Sequence, residues 1–239
     1  AKPSHISKPD PLGHVLNHLQ GAYSLLFLFD DRIEAARDPY GVRPLVIGKT
    51  KNGAYCVASE TCAFDTVEAE YIREVEPGEI VTLNKNGMSS RRFVKPDSMT
   101  PAHCIFEHVY FAKQSSIIFG ENVHEVRKKM GSQIAKEHPV DADVVIPVPD
   151  SGTSAAIGYS RQSGIPFDMG FVRSHYVGRT FISPSQDTRD LAVKLKLAVV
   201  AEVVRGKRVI VVDDSIVRGT TTKGKIKALR DAGAKEIHM

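Results

Sequence analysis

At 239 residues, 42% hydrophobic and 25% charged, the chain has the make-up of a globular protein that buries a sizeable core, as one large domain or two small ones. Its net charge of +4 is mild and forms no basic stripe, which suits small anions and argues against nucleic-acid binding. No apolar run is long enough to span a bilayer and no hydrophobic targeting segment starts the chain. Three widely spaced cysteines, Cys56, Cys62 and Cys104, argue against a disulfide framework, so a cytoplasmic location without membrane contact is expected.

In chain order, residues 12–20 predict a short helix ending near Gly21. The apolar run 24–29 stops at Asp30-Asp31, a turn signal. Leu45-Val46-Ile47 and Tyr55-Cys56-Val57 flank Asn52-Gly53, and residues 79–83 lead into Asn86-Gly87. Asn-Gly between apolar segments predicts a hairpin, because both residues tolerate positive φ. Residues 1–98 therefore read as a β-rich first domain, with 96–101 as the linker.

From residue 99 the pattern changes. Val123, Val126, Met130 and Ile134 put one apolar face on a helix over 122–138, stopped by Pro139. Strands are predicted at 144–146, 167–172 and 209–212, and helices at 151–162 and 220–232. Ile226 and Leu229 point inward and Gly233 stops the last helix. Residues 236–239 read as the next strand beginning, as though the chain were cut within the fold. Alternating strands and helices predict a parallel sheet flanked by helices, an α/β domain over 99–239 behind an α+β one.

The segment VIVVDDSIVRGTT (209–221) is the most informative. A buried strand delivers Asp213 and Asp214 to the C-terminal edge of a parallel sheet, where ligands of open α/β folds bind. A loop of small residues (Ser215, Gly219, Thr220, Thr221) then opens into a helix, so that N–H groups and the helix dipole converge on a phosphate. The two acids would repel that phosphate and must face sugar hydroxyls, a metal, or both. A solvated acidic turn with an N-cap Thr is the bland alternative, but strand, acid pair, small-residue loop and helix in immediate succession argue against it. A second segment, VVIPVPDSG (144–152), also runs from a buried strand into a polar turn. Alone it is an ordinary strand-to-helix connection with a capping Ser or Asp.

Segment 209–221 resembles the phosphoribosyl-pyrophosphate (PRPP) motif of type I phosphoribosyltransferases. The resemblance extends over nearly the whole chain to the amidophosphoribosyltransferase family of purine synthesis. It implies that Asp213 and Asp214 hold the ribose hydroxyls and take part in a Mg²⁺ site. Ser215, Val217, Arg218, Gly219, Thr220 and Thr221 would bind the 5′-phosphate. Asp150, Ser151 and Gly152 match the pyrophosphate loop, with Ser151 associated with the metal. In HYVGRTFISPSQDT (175–188), Tyr176 and Arg179 match a loop that closes over PRPP, where excluding water protects a reactive cation. Arg173, Ser174 and His175 stand where the family has Lys-Asn-Arg. The implied chemistry is displacement at ribose C1 with loss of pyrophosphate, through a transition state like that of glycoside cleavage. Glutamine or ammonia as co-substrate, purine nucleotides as feedback inhibitors and a homo-oligomer are implied with it.

ARDPYGVRPLVIG (36–48) and VASETCAFD (57–65) resemble the same family's glutamine amidotransferase domain, an N-terminal-nucleophile hydrolase fold. On physical grounds Arg37 to Gly41 is a structural turn, with Arg37 paired to Asp38 or a neighbour. Residue 1 is Ala where the family's mature domain starts with a nucleophilic Cys, and a chain lacking upstream residues is expected. Cys104 lies in an apolar stretch, 103–112, and reads as a buried structural cysteine. Some family members use a cysteine of this stretch as an iron–sulfur ligand, which needs about four thiolates. Rival readings are a base phosphoribosyltransferase, which leaves 24–98 unexplained, and a non-catalytic PRPP sensor.

Overall fold

Asp10 opens the first element of the computed structural model, which describes residues 8–95, 100–173, 197–216 and 219–239. Its carboxylate accepts the Gly13 N–H at 3.0 Å and so caps helix α1 (Pro11–Leu16), with Pro11 at the first helical position, where a missing N–H costs nothing. The helix stops four residues short of the sequence expectation. The Asn17 amide turns back to the Gly13 carbonyl (3.1 Å) and reaches the Phe93 carbonyl (2.7 Å), competing with continued helix.

The described residues separate into two compact units, 1–123 and 124–239. In the first, β1 (Ser24–Leu28) and β2 (Arg32–Arg37) form a hairpin around Asp30-Asp31. Strands β3 (Val46–Thr50) and β4 (Tyr55–Ala58) form a second hairpin around Asn52-Gly53, followed by helix α2 (Cys62–Thr66) and β5 (Ala69–Glu74). β6 (Glu79–Asn84) and β7 (Gly87–Arg92) turn at Asn86-Gly87. Two antiparallel sheets result, ordered β1-β2-β6-β7 and β4-β3-β5. Strand alternation assigns neighbours to opposite faces. Ala35, Val81 and Leu83 pack with Leu45, Ile47 and Val75 between the sheets, while Ala36 and Ile80 pack with Leu16 and Phe93 on the α1 side.

Arg37 is 1% exposed and locks the turn that follows β2. Its guanidinium donates to the carbonyls of Arg43 (2.8 Å), Val75 (2.7 Å) and Gly41 (2.9 Å) and to Glu74 (3.0 Å). Its ionic partner is thus Glu74; the Asp38 carboxylate instead accepts the backbone N–H groups of Tyr40 and Val42. The stretch 103–112 contains a π-helical turn, Glu107–Phe111, that inverts its expected burial. Glu107, paired with Arg43, and His108 are buried, whereas Ile105, Phe106, Tyr110 and Phe111 are exposed and Cys104 is half-buried. A short hairpin, β8 (Ile117–Ile118) and β9 (Glu121–Asn122), turns through Phe119 and Gly120, both at positive φ.

The second unit begins in helix α3 (Val123–Glu137) and continues through β10 (Val144–Pro147), helix α4 (Thr153–Ser163), β11 (Phe171–Arg173) and β12 (Leu197–Val199). Helix α5 (Ala201–Val204), β13 (Arg208–Val212), helix α6 (Thr220–Asp231) and β14 (Glu236–His238) complete it. β10, β13 and β14 form a parallel sheet in that order, with Pro147 opposite Val212. Both faces are covered, which is why β13 is apolar throughout its last four residues. Val209 and Val211 face Val204, Phe171 and Leu229; Ile210 and Val212 face Ala135, Ala156 and Tyr159.

Two expectations are corrected. The predicted strand 167–172 is broken: Phe167 bridges Val145, Gly170 presses against the Ile146 side chain, and β11 starts only at Phe171, pairing antiparallel with β12. The buried face of α3 is Val123, Arg127, Gly131 and Ala135, not Val126, Met130 and Ile134, and Ile134 is exposed. The cause is a close helix crossing. A Cβ on Gly131 would stand 1.9 Å from the Ala155 carbonyl oxygen, and one on Gly158 would stand 2.0 Å from that of Lys128. Among the described residues, no helix is long and apolar enough to cross a membrane.

Candidate functional site: two loops at the end of a parallel sheet

Parallel pairing of β10 with β13 brings the loops after both strands to one edge of the sheet. After β10 the Val148 N–H donates to the Val212 carbonyl (2.8 Å) and the Gly152 N–H to the Val148 carbonyl (3.0 Å). The Pro149–Asp150 peptide is cis. Gly152 lies flat against the end of β13: a Cβ there would be 2.2 Å from the Val212 oxygen. Only glycine permits this approach, and through it Asp150-Ser151-Gly152 stands beside Asp213-Asp214. Helices α4 and α6 start immediately after the two loops, so the positive ends of two helices lie at the same edge.

Asp213 is nearly buried, and each of its carboxylate oxygens accepts one hydrogen bond. One carboxylate oxygen accepts the Asp214 N–H at 3.0 Å; the other accepts the ammonium of Lys225. The Asp213 and Lys225 side chains are only 9% and 13% exposed. The Ser215 hydroxyl donates to Asp214 at 2.5 Å. Gly219, at φ +70°, turns the loop into α6, a left-handed conformation that suits glycine. Asp150, exposed, accepts a hydrogen bond from Arg173 at the end of β11 (2.8 Å). Arg173 is thereby attached to the pyrophosphate-loop candidate, although it departs from the family's usual residue.

The structure thus brings together Asp150, Ser151, Gly152, Asp213, Asp214, Ser215 and Gly219, with the backbone of Thr220 and Thr221 in the first turn of α6. Val217, Arg218, Tyr176 and Arg179 lie outside the described residues. Sequence reasoning missed Lys225. Lys223, Lys225 and Lys227 are three lysines in one helix, and the sequence pattern does not single out the middle one. Helical side chains tilt toward the N-terminus, however, and this carries Lys225 back to the strand end.

A cavity of about 190 Å³ adjoins the acid pair, but its Ile134, Tyr159, Ile210 and Val212 walls are wrong for a phosphate. The edge where the helices begin suits an anion better. Carboxylate and hydroxyl oxygens suit Mg²⁺, yet Asp213 already carries an ammonium. Among the described residues no group of three or more His, Cys, Asp or Glu side chains gathers as a metal site, around Cys104 or elsewhere.

Residues 120–239 match the phosphoribosyl transferase domain family and residues 5–66 the glutamine amidotransferase domain family. The chain is 57% identical over 222 residues to a chloroplastic amidophosphoribosyltransferase of Glycine max, covering 93% of this chain and 39% of that one. It is 49% identical over 225 residues to the amidophosphoribosyltransferase of Mycobacterium tuberculosis, covering 94% and 42%. A solved glutamine PRPP amidotransferase from B. subtilis, complexed with ADP and GMP, superposes with a TM-score of 0.89 at 47% identity, covering 98% of this chain and 52% of that one. The chain spans about two fifths of the length of these curated relatives and about half of that structure. By this pairing of domains, and by identity of this order over nearly all of its length, the chain belongs to the amidophosphoribosyltransferase family.

Proposed function

We propose that the chain contributes the PRPP site of an enzyme that makes 5-phosphoribosylamine from PRPP and glutamine-derived ammonia, releasing pyrophosphate. The observation that carries this reading is the contact of Gly152 with the Val212 carbonyl, which sets a diphosphate-type loop beside an acid pair and a helix-opening phosphate loop. Asp213 and Asp214 receive the ribose diol. Ser215, Gly219 and the first N–H groups of α6 receive the 5′-phosphate, with Val217, Arg218, Thr220 and Thr221 in the same loop. Ser151, Gly152 and the start of α4 receive the diphosphate, near Asp150.

The ammonia nitrogen forms a bond to C1 as the bond from C1 to the diphosphate oxygen breaks. The electron pair leaves with the diphosphate, and the new amine sheds a proton to water. No protein nucleophile is needed; the chain contributes position and a preorganised field. Ser151 and Asp214 would be the protein oxygen donors to a Mg²⁺ ion arriving with the substrate, and that ion would supply charge neutralisation for the departing diphosphate. Tyr176 and Arg179 belong to a segment that closes over PRPP in this reading. A cytoplasmic homo-oligomer with purine nucleotides as feedback ligands belongs to the same proposal. A domain boundary at 98/99, where the sequence pattern changes, belongs to this reading, although the compact units divide at 123/124. The amidotransferase match over residues 5–66 weighs against a base phosphoribosyltransferase.

The test is Mg²⁺-dependent pyrophosphate release from PRPP with ammonia supplied, for this chain and for Asp213→Asn. Release that the substitution abolishes supports the proposal. Absence of PRPP binding by the folded chain overturns it.

A further inference from the structure

We infer that Lys225 is the resident counter-ion of Asp213, so that this carboxylate offers its remaining lone pairs to a diol and is closed to a divalent cation. The diol half of the inference rests on the PRPP reading above; the cation half does not.

A carboxylate has about four lone-pair sites. In Asp213 one on each oxygen is taken, by the Asp214 N–H and by the Lys225 ammonium. One site per oxygen remains, the arrangement that accepts two neighbouring hydroxyl donors. A dication on the same carboxylate would lie within a few ångströms of a nearly buried ammonium, and like charges in so dry a place repel strongly. Of the three lysines at 223, 225 and 227, the outer two are exposed, so Lys225 alone among them turns inward. The pair also removes one negative charge from the acid couple. That lowers the repulsion a polyanionic substrate meets at the strand end, leaving Asp214 as the carboxylate open to a metal that arrives with the substrate's own phosphates.

The experiment is Mn²⁺ binding to the full chain without PRPP, followed by electron paramagnetic resonance, for the wild type, Lys225→Met and Lys225→Met/Asp213→Asn. Methionine keeps the length and packing of the lysine stem without its charge. The expected result is at least about tenfold tighter Mn²⁺ binding in Lys225→Met, about 1.4 kcal/mol, lost again in the double variant. Lys225→Arg, which restores the charge, returns the affinity to that of the wild type. Equal Mn²⁺ affinity in wild type and Lys225→Met overturns the inference, as does a gain that survives removal of the Asp213 charge. Lys225→Gln serves if the methionine variant does not fold. PRPP titrations of the same samples keep the two readings apart. A folded wild type that ignores PRPP defeats the functional proposal, while the Mn²⁺ comparison still decides the role of Lys225.

Discussion

Gly152→Ala isolates the contact that joins the two candidate loops. Its φ of −75° and ψ of −12° suit any L-residue, so alanine adds no backbone strain, and the whole effect is steric. The new methyl carbon would lie 2.2 Å from the Val212 oxygen, 3.0 Å from that of Val148 and 3.1 Å from the Val212 carbonyl carbon. Relief requires the loop and the end of β13 to part by about 1 Å, since carbon packs at about 3.5 Å. That movement stretches the Val148 N–H bond to Val212, now 2.8 Å, beyond useful length. Overpacking of this kind costs about 1–3 kcal/mol, and the lost hydrogen bond about 1 kcal/mol more. Urea unfolding should show a lower midpoint with an unchanged slope. Under the proposed function, a displacement of about 1 Å between the diphosphate and ribose subsites should lower turnover by about 100-fold. If Gly152→Ala holds stability within about 0.5 kcal/mol and binds PRPP as the wild type does, the coupling of the two loops through this residue is refuted.

Gly224, in the interior of α6 with open space where a Cβ would stand, should behave oppositely: Gly224→Ala is expected to raise stability by about 0.5–1 kcal/mol, read as a higher melting temperature. Arg37→Lys should cost about 3–5 kcal/mol, because one ammonium cannot reach Glu74 and three carbonyls at once; a small loss in chemical denaturation would show that the network is redundant. Hydrogen bonds from the Arg208 side chain and N–H hold the Asp143 carboxyl down at about 2. The folded-state value is depressed, so this contribution is complete above about pH 4 and disappears as pH falls toward 2. Asp143→Asn should therefore flatten the acid limb of a stability–pH curve in that window and leave its slope above about pH 5 unchanged.

How much the sequence discloses depends on whether the decisive interaction is local. The Asn-Gly hairpins, the apolar strands at 144 and 209 and the glycine-stopped last helix are set by neighbours in the chain. They fall where periodicity and turn chemistry place them. The acid pair and small-residue loop are legible for the same reason, being one uninterrupted segment. The inward face of α3 is not, because it is decided by Gly131 and Gly158, which count as nothing in a search for apolar spacing. Nor is Lys225, whose partner lies twelve residues away across a loop. Burial of Glu107 and His108 beneath exposed aromatics depends on a π-helical turn and on Arg43, neither of which has a pattern in single-sequence hydropathy.

The bare crossing of α3 and α4 makes the map of sensitive positions wider than the map of chemistry. Any larger residue in place of Gly131 or Gly158 would force apart two helices that meet carbonyl to Cα, and α4 begins at the proposed diphosphate loop. A random-mutagenesis screen for loss of the proposed transferase activity should therefore return hits at these two glycines alongside the acid pair. Such hits would be misfiled as folding defects unless their PRPP affinity were measured on the protein that remains folded.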